Sequence, residues 1–192
     1  MLIDNFTGVI LAGGQSRRFG TNKALTSFRG RKLIEHPAFI LERIFSHRLL
    51  VTNSAADYDF LGWPVTGDIF PGCGPLAGIH AALDKSPTKY IFAAGCDMPD
   101  IHQELIEYLC GLAGGYDGVV PWTEMGPEPL HSIYCRSASK ILEQALRDGS
   151  LRTHDVFQAM NIRKVHPPEI ANIVGSARPF RNINTVSDME EA

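Results

Sequence analysis

The apolar run Gly8-Val9-Ile10-Leu11 passes directly into Ala12-Gly13-Gly14-Gln15-Ser16-Arg17-Arg18-Phe19-Gly20-Thr21-Asn22-Lys23, and this junction constrains the fold more than any other stretch. The run reads as a strand buried on both faces, as in a parallel sheet covered by helices. Three glycines then let the backbone turn sharply and approach a ligand where a Cβ would collide. Successive N–H groups in such a turn make a concave anion site, to which Arg17, Arg18 and Lys23 add full positive charges. The alternative is a glycine turn with solvated arginines. The preceding strand, the glycine count and the placed lysine instead suit a phosphorylated ligand, a nucleoside triphosphate foremost. Thr21 after Gly20 excludes a Walker A loop, and the adjacency of Gly13 and Gly14 excludes G-x-G-x-x-G.

Downstream, apolar runs and helical spacings alternate. Residues 27–32 read as a tight turn, and Leu33, Ile34, Phe39, Ile40, Leu41 and Ile44 then fall at helical spacing, with Pro37 requiring an early position or a kink. Residues 48–52 predict a second strand. In a parallel sheet the ligand lies beyond the carboxyl ends of the strands, so Thr52 and Asn53 reach its rim, either to read the edge of a base or to close an Asx turn. Residues 63–66 predict a third strand that delivers Asp68. Pro75 suits the first turn of a helix through Ile79, Ala82 and Leu83, which makes Gly74 part of a second helix N-terminus aimed at the site. The formal G-x-G-x-x-A match at 72–77 is discounted, because Pro75 has no N–H for a phosphate.

Tyr90-Ile91-Phe92-Ala93-Ala94 is the most clearly buried strand, and it ends in Gly95-Cys96-Asp97-Met98-Pro99. A carboxylate there is where an α/β nucleotide enzyme holds Mg²⁺, which takes one or two protein carboxylates and completes its octahedron with phosphate and water. The competing role for Asp97 is the N-cap of a helix starting near Ile101. A helix through 105–112, a strand at 117–121 and a polar loop at 122–129 follow. Residues 130–135 alternate like an exposed strand. Ser137 would cap a helix to Leu146, and Thr153 or Asp155 a helix to Met160. His131 and Cys135 lack a matching second ligand pair, and no nucleophile elbow surrounds Ser132. Arg152 suits a substrate phosphate or plain solvent. The tail at 179–185 places Asn182 and Asn184 on one face of an extended segment.

Composition narrows the partners. A length of 192 residues fits one domain, and a net charge of −3 leaves no broad basic face for nucleic acid. An anionic substrate must therefore be met by a local cationic site. The four cysteines are far apart with no C-x-x-C pair, which argues for reduced, buried thiols. Met1-Leu2-Ile3-Asp4-Asn5 has no signal-peptide character, and no apolar run is long enough to span a membrane, so a soluble, cytoplasmic chain is expected.

Leu11-Ala12-Gly13-Gly14, Arg17-Arg18-Phe19-Gly20 and Lys23-Ala24-Leu25 resemble the signature loop of nucleotidyltransferases acting on small phosphorylated substrates. Cys96-Asp97-Met98-Pro99 resembles their metal motif, Gly74-Pro75-Leu76-Ala77-Gly78 a nucleotide-contacting loop, and Phe180-Arg181-Asn182-Ile183-Asn184-Thr185 the carboxyl-terminal motif of the molybdenum cofactor guanylyltransferases. The resemblance runs from residue 8 to residue 185. It implies a single MobA-like nucleotidyltransferase domain over residues 1–192, a three-layer α/β/α sandwich with a mostly parallel, Rossmann-like sheet of the nucleotide-diphospho-sugar transferase type. It implies guanylyl transfer from GTP to the terminal phosphate of molybdenum-molybdopterin, with release of pyrophosphate and Mg²⁺ as cofactor. The implied catalytic residues are Arg17, Arg18, Lys23 and Asp97, with Asp97 the metal ligand. The implied nucleotide and substrate contacts are Leu11, Ala12, Gly13, Gly14, Lys23, Asn53, Asp68, Gly74, Asp97, Asn182 and Asn184. Glu128 to His131 would flank the second substrate. Further partners would be a recipient molybdoenzyme or other cofactor-biosynthesis proteins, not nucleic acid or membrane. The competing readings are a molybdopterin cytidylyltransferase, or another transferase of small phosphates, and a non-catalytic protein that carries the pterin cofactor.

Overall fold

Residues 2–13, 22–175 and 178–190 are described in the structure, a computed structural model. Gly14, Arg17 and Arg18 lie outside the described residues. In chain order the elements are β1 (Ile3–Leu11), β2 (Ser27–Phe28), β3 (Arg31–Lys32), α1 (Glu35–Ile44), β4 (Phe45–Val51), β5 (Val65–Thr66), α2 (Pro75–Lys85), β6 (Tyr90–Gly95) and α3 (Gln103–Gly111). They continue with β7 (Gly118–Thr123), β8 (Gly126–Pro127), β9 (His131–Cys135), α4 (Ser139–Arg147), α5 (Thr153–Gln158), β10 (Ile162–Val165), α6 (Pro167–Val174) and α7 (Val186–Glu190). Among the described residues the main sheet runs β10-β7-β9-β6-β1-β4-β5, with β8 paired to β7.

Side chains of successive strand residues point to opposite faces, and here both faces are covered. Phe6 and Ile10 of β1, Phe92 and Ala94 of β6 and Val119 of β7 pack with Leu41 of α1, Leu105 and Ile106 of α3 and Ile170 of α6. Their neighbours Val9, Ile91, Ala93 and Val120 pack against Ile79 and Leu83 of α2, Leu142 of α4 and Phe157 of α5. The result is the expected three-layer α/β/α sandwich. Strand pairing is parallel for β1–β4, β1–β6, β4–β5 and β7–β10, and antiparallel around β9 and β8.

Several local expectations are corrected. Residues 130–135 do not form an exposed strand: β9 is buried along its whole length between β6 and β7. Its polar groups turn back onto the preceding loop, Ser132 Oγ donating to the Glu128 carbonyl at 2.6 Å and Tyr134 Oη to the Pro129 carbonyl at 2.8 Å. The polar stretch 122–129 is a hairpin, in which Trp122 and Thr123 pair with Pro127 and Gly126. Ser137 caps no helix, because its hydroxyl donates to the Asp117 carboxylate from a 3-10 turn and α4 begins at Ser139. Neither Thr153 nor Asp155 caps α5, which begins at Thr153 after Arg152 without a side-chain cap bond. Of the cysteines only Cys135 is fully buried as a residue, and all four are free thiols. No helix among the described residues is long and apolar enough to cross a membrane.

One buried group stands out energetically. The His131 ring is enclosed edge-to-face by Phe92 at 5.2 Å and Phe180 at 5.1 Å. Neither of its nitrogens has a hydrogen-bond partner among the described residues. Burial, reinforced by the nearby His102, pushes its pKa down to about 3. The unfolded chain therefore binds the extra proton between pH ~6.5 and pH ~3, and stability is lost as pH falls through that window. Replacing the ring by an apolar one of similar shape removes two unsatisfied buried atoms. His131→Phe is expected to raise stability near pH 7 by about 1–3 kcal/mol. The gain should widen by about 2 kcal/mol near pH 5. Urea unfolding at the two pH values reads both effects, and equal or lower stability of the variant at each would contradict this account.

Candidate active site

The carboxyl ends of the three central parallel strands lie level: Leu11 of β1 stands opposite Val51 of β4 and Gly95 of β6. Ala12 N–H donates to the Val51 carbonyl at 2.9 Å and Cys96 N–H to the Leu11 carbonyl at 3.2 Å, so all three chains leave the sheet together. β1 has β4 on one side and β6 on the other, the reversal in strand order at which open α/β sheets bind ligands. A cavity of about 850 Å³ opens there. Its walls include Leu11, Ala12, Gly13, Lys23, Asn53, Asp68, Gly74, Asp97 and Asn184. Nine of the expected site residues thus face one space, although they come from distant parts of the sequence.

At one end of the cavity Lys23 Nζ lies 2.7 Å from Asp97 Oδ2 and 3.4 Å from Asn184 Oδ1. The two charged side chains are only 14% and 22% exposed. Asp97 serves no helix as a cap, because α3 begins at Gln103 after His102. Its carboxylate lies against Gly95, where an added Cβ would come within 2.6 Å of Oδ1. The neighbouring Cys96 thiol is pushed up to about 12, chiefly by burial, and remains neutral.

On another wall Asn53 is tied to Asp68 rather than closing an Asx turn. Its Oδ1 accepts from Asp68 N–H at 3.0 Å, and its Nδ2 donates to Asp68 Oδ2 at 3.4 Å. Burial raises the Asp68 carboxyl above the usual carboxylate range, with the Asn53 amide opposing the shift. Thr52 is buried, its hydroxyl donating to the Ala12 carbonyl at 3.2 Å. Gly74, with φ of 71° and ψ of −157°, turns the chain into α2 in a region open only to glycine. α2 then presses close to β1, where a Cβ on Gly78 would lie 2.5 Å from Leu11 Cδ2.

Asn182 stands apart from the cavity, its amide donating to the Phe180 carbonyl at 3.4 Å. The residue between the asparagines, Ile183, is buried against Phe28 and Leu33, and its N–H donates to the Asp97 carbonyl at 2.9 Å. Arg152 is exposed and adjoins no cavity wall among the described residues. Two further lining residues, Asn22 and Tyr58, are not among the expected site residues. Tyr58 sits in a short 3-10 segment, Ala55–Leu61, without a periodic signal.

An α/β sandwich whose central strands end at a paired lysine and aspartate, with glycine-built walls around them, has the make-up of a site for a phosphorylated nucleotide. The comparisons give the family. The MobA-like NTP transferase domain matches residues 8–162, and the chain belongs to that family. The molybdenum cofactor guanylyltransferase of Desulfosudis oleivorans is 34% identical, with 99% of this chain and 95% of the relative covered. A probable molybdenum cofactor guanylyltransferase of Carboxydothermus hydrogenoformans is likewise 34% identical, with 98% and 95% covered. Among solved structures, the molybdopterin-guanine dinucleotide biosynthesis protein A of Archaeoglobus fulgidus superposes with a TM-score of 0.83 at 28% identity, covering 96% of this chain and 95% of that one.

Crowding at Gly95 supplies a test of the site geometry. Gly95→Ala should push the Asp97 carboxylate off Lys23 while leaving the sheet intact. The expected result is a melting temperature within a few degrees of the native chain and a nucleotidyl-transfer rate reduced about tenfold or more. An unchanged rate would show that the carboxylate position does not matter.

Proposed function

We propose that the chain transfers GMP from GTP to the terminal phosphate of molybdenum-molybdopterin and releases pyrophosphate. The observation that carries this reading is the pairing of Lys23 with Asp97 in the cavity that also holds Asn53 and Asp68. It is supported by the names of relatives that align over nearly the whole chain. Donor and acceptor are both anions and repel each other, so the protein's task is to place them and neutralise their charge. No general base is needed, because the attacking phosphate is already ionised near neutral pH.

Each residue has a role that its chemistry fits. Leu11, Ala12 and Gly13 form the floor beneath the nucleotide, Gly13 having no side chain to bar close approach. Asp68, oriented by Asn53, accepts from the N–H edge of guanine. Lys23 neutralises the triphosphate and the leaving pyrophosphate, and Arg17 and Arg18 join it in this role. Asn184, beside Lys23, donates its amide to the acceptor side.

The donor set suits Mg²⁺ in one limited sense. No group of three His, Cys, Asp or Glu side chains converges among the described residues. Asp97 therefore offers a single carboxylate, with Oδ1 unengaged there, as fits an ion that draws its remaining ligands from phosphate and water. Bound at Asp97, Mg²⁺ would supply charge neutralisation of the nucleotide phosphates.

Thermal melting with each nucleoside triphosphate and Mg²⁺ tests the reading. GTP at about a hundredfold its Kd should stabilise the chain by about 2.7 kcal/mol, a shift of roughly 5–10 °C. Lys23→Ala should abolish most of that shift, and Asp97→Asn should abolish pyrophosphate release with the fold retained. Stabilisation by CTP in place of GTP would favour the cytidylyl reaction. Binding of the pterin cofactor without pyrophosphate release from any nucleotide would favour a carrier.

A further inference from the structure

Lys23 belongs to a 3-10 turn of three residues, Lys23–Leu25, too short to fix a long side chain by its own backbone bonds. Its direction is set from outside the turn. Asn22 Oδ1 accepts from the Ala24 N–H at 3.2 Å, which closes the start of the turn. The same amide meets the phenol of Tyr58, with Nδ2 donating to Oη at 3.0 Å and Oη donating to Oδ1 at 3.2 Å. Both ends of the Asn22 amide are thus engaged, and rotation of that side chain breaks at least two bonds.

Tyr58 comes from a separate segment, Ala55–Leu61, which follows β4. Its ring is 2% exposed and packs in the same core cluster as Ala24. Burial, the largest influence on this phenol, raises its pKa, so the hydroxyl keeps its proton and its donor role. A buried hydroxyl needs a partner, and Asn22 supplies it. Further backbone bonds join the turn to the start of α1, from Ile34 N–H to the Ala24 carbonyl at 3.0 Å and from Leu33 N–H to the Thr26 carbonyl at 2.9 Å. The turn is held to α1 by its backbone and to the 55–61 segment by Asn22.

We infer that the Asn22–Tyr58 pair is a positioning device that aims Lys23 at Asp97 and at the phosphates of a bound nucleotide. The inference rests on the reading of Lys23 as a phosphate ligand. Tyr58 acts through Asn22 and Lys23, so removing its hydroxyl should matter only while Lys23 is present.

A double-mutant cycle with GTP and Mg²⁺ as the probe, read by calorimetry, tests this. Tyr58→Phe keeps the ring in the core, so its melting temperature should stay within a few degrees of the native value. Its GTP affinity should fall about threefold to tenfold, the scale of one hydrogen bond. In a Lys23→Ala background the same substitution should cost less than about twofold, because the group being aimed is gone. Asn22→Ala should reproduce the loss. Asn22→Asp, which keeps the acceptor for Ala24 and for the phenol, should restore most of the affinity. A Tyr58→Phe chain with native GTP affinity overturns the inference, as does an equal loss with and without Lys23. A native chain that binds no triphosphate at all overturns the nucleotide reading beneath it, and the two failures are told apart by the native control alone.

Discussion

Leu11 stands level with Val51 on one side and Gly95 on the other, and this register decides where the rest of the site can be. Three parallel strands that stop at one height expose three sets of backbone ends to a common space. The loops that follow them carry Gly13, Asn53 and Asp97 into that space without any long excursion. The crowding that results sets the residue types nearby. Gly95 leaves room for the Asp97 carboxylate, and Gly78 lets α2 approach Leu11 closely enough to bring the 71–75 loop to the rim. A methyl group at either position collides with the feature that makes the cavity useful.

Electrostatics follows from the same placement. The chain carries a net charge of −3, so attraction for an anionic substrate has to be local. Lys23 and Asp97, 74 residues apart, are brought to 2.7 Å with little exposure of either. Charges held this far from water need compensation, and each supplies it to the other. Both groups also have the chemistry to bind something else: the ammonium suits phosphate oxygen and the carboxylate suits a hard cation. In the proposed reaction, a nucleotide arriving with a metal ion would offer a partner to each member of the pair at once.

The parts that were legible in the sequence share a physical cause. β1, β4 and β6 are short apolar runs at the centre of a two-sided sheet, and the helices facing them show their period through Leu41, Ile44, Leu105 and Leu109. Lys23 and Asp97 could each be singled out because glycine turns and strand-end carboxylates announce themselves locally, but their direct ion pair is a tertiary contact with no trace in the sequence. β9 was not legible, because its His, Ser and Tyr imitate a half-exposed alternation while their polar groups are in fact satisfied by the preceding loop or left bare in the core. β8 is two residues long and exists only by pairing with β7. Tyr58 and Asn22 could not be joined from sequence, since the bond between them is a tertiary contact with no periodic trace. Asn182 does not join Asn184 at the cavity, because residues 181–184 belong to no strand and the Asn182 amide turns back to the Phe180 carbonyl.

The tail shows how such a site is completed from outside its main frame. The family match ends at residue 162, yet Asn184 lies 3.4 Å from the Lys23 ammonium. The segment is held by several independent means. Ile183 is buried with Phe28 and Leu33, and its N–H reaches the Asp97 carbonyl. Asp188 accepts from the N–H groups of Asn184 and Thr185 at 2.6 and 2.7 Å, which ties the asparagine to the start of α7. Asp100 receives Arg29 at 2.8 Å and Arg181 at 3.9 Å, so the β2–β3 hairpin, the loop after β6 and the tail meet at one carboxylate. The backbone of Asp97 is thus gripped by the tail while its side chain is held by the turn after β1. A carboxylate fixed at both ends by elements far apart in sequence keeps its position only when the whole chain is folded, which couples the chemistry of the site to the closure of the fold.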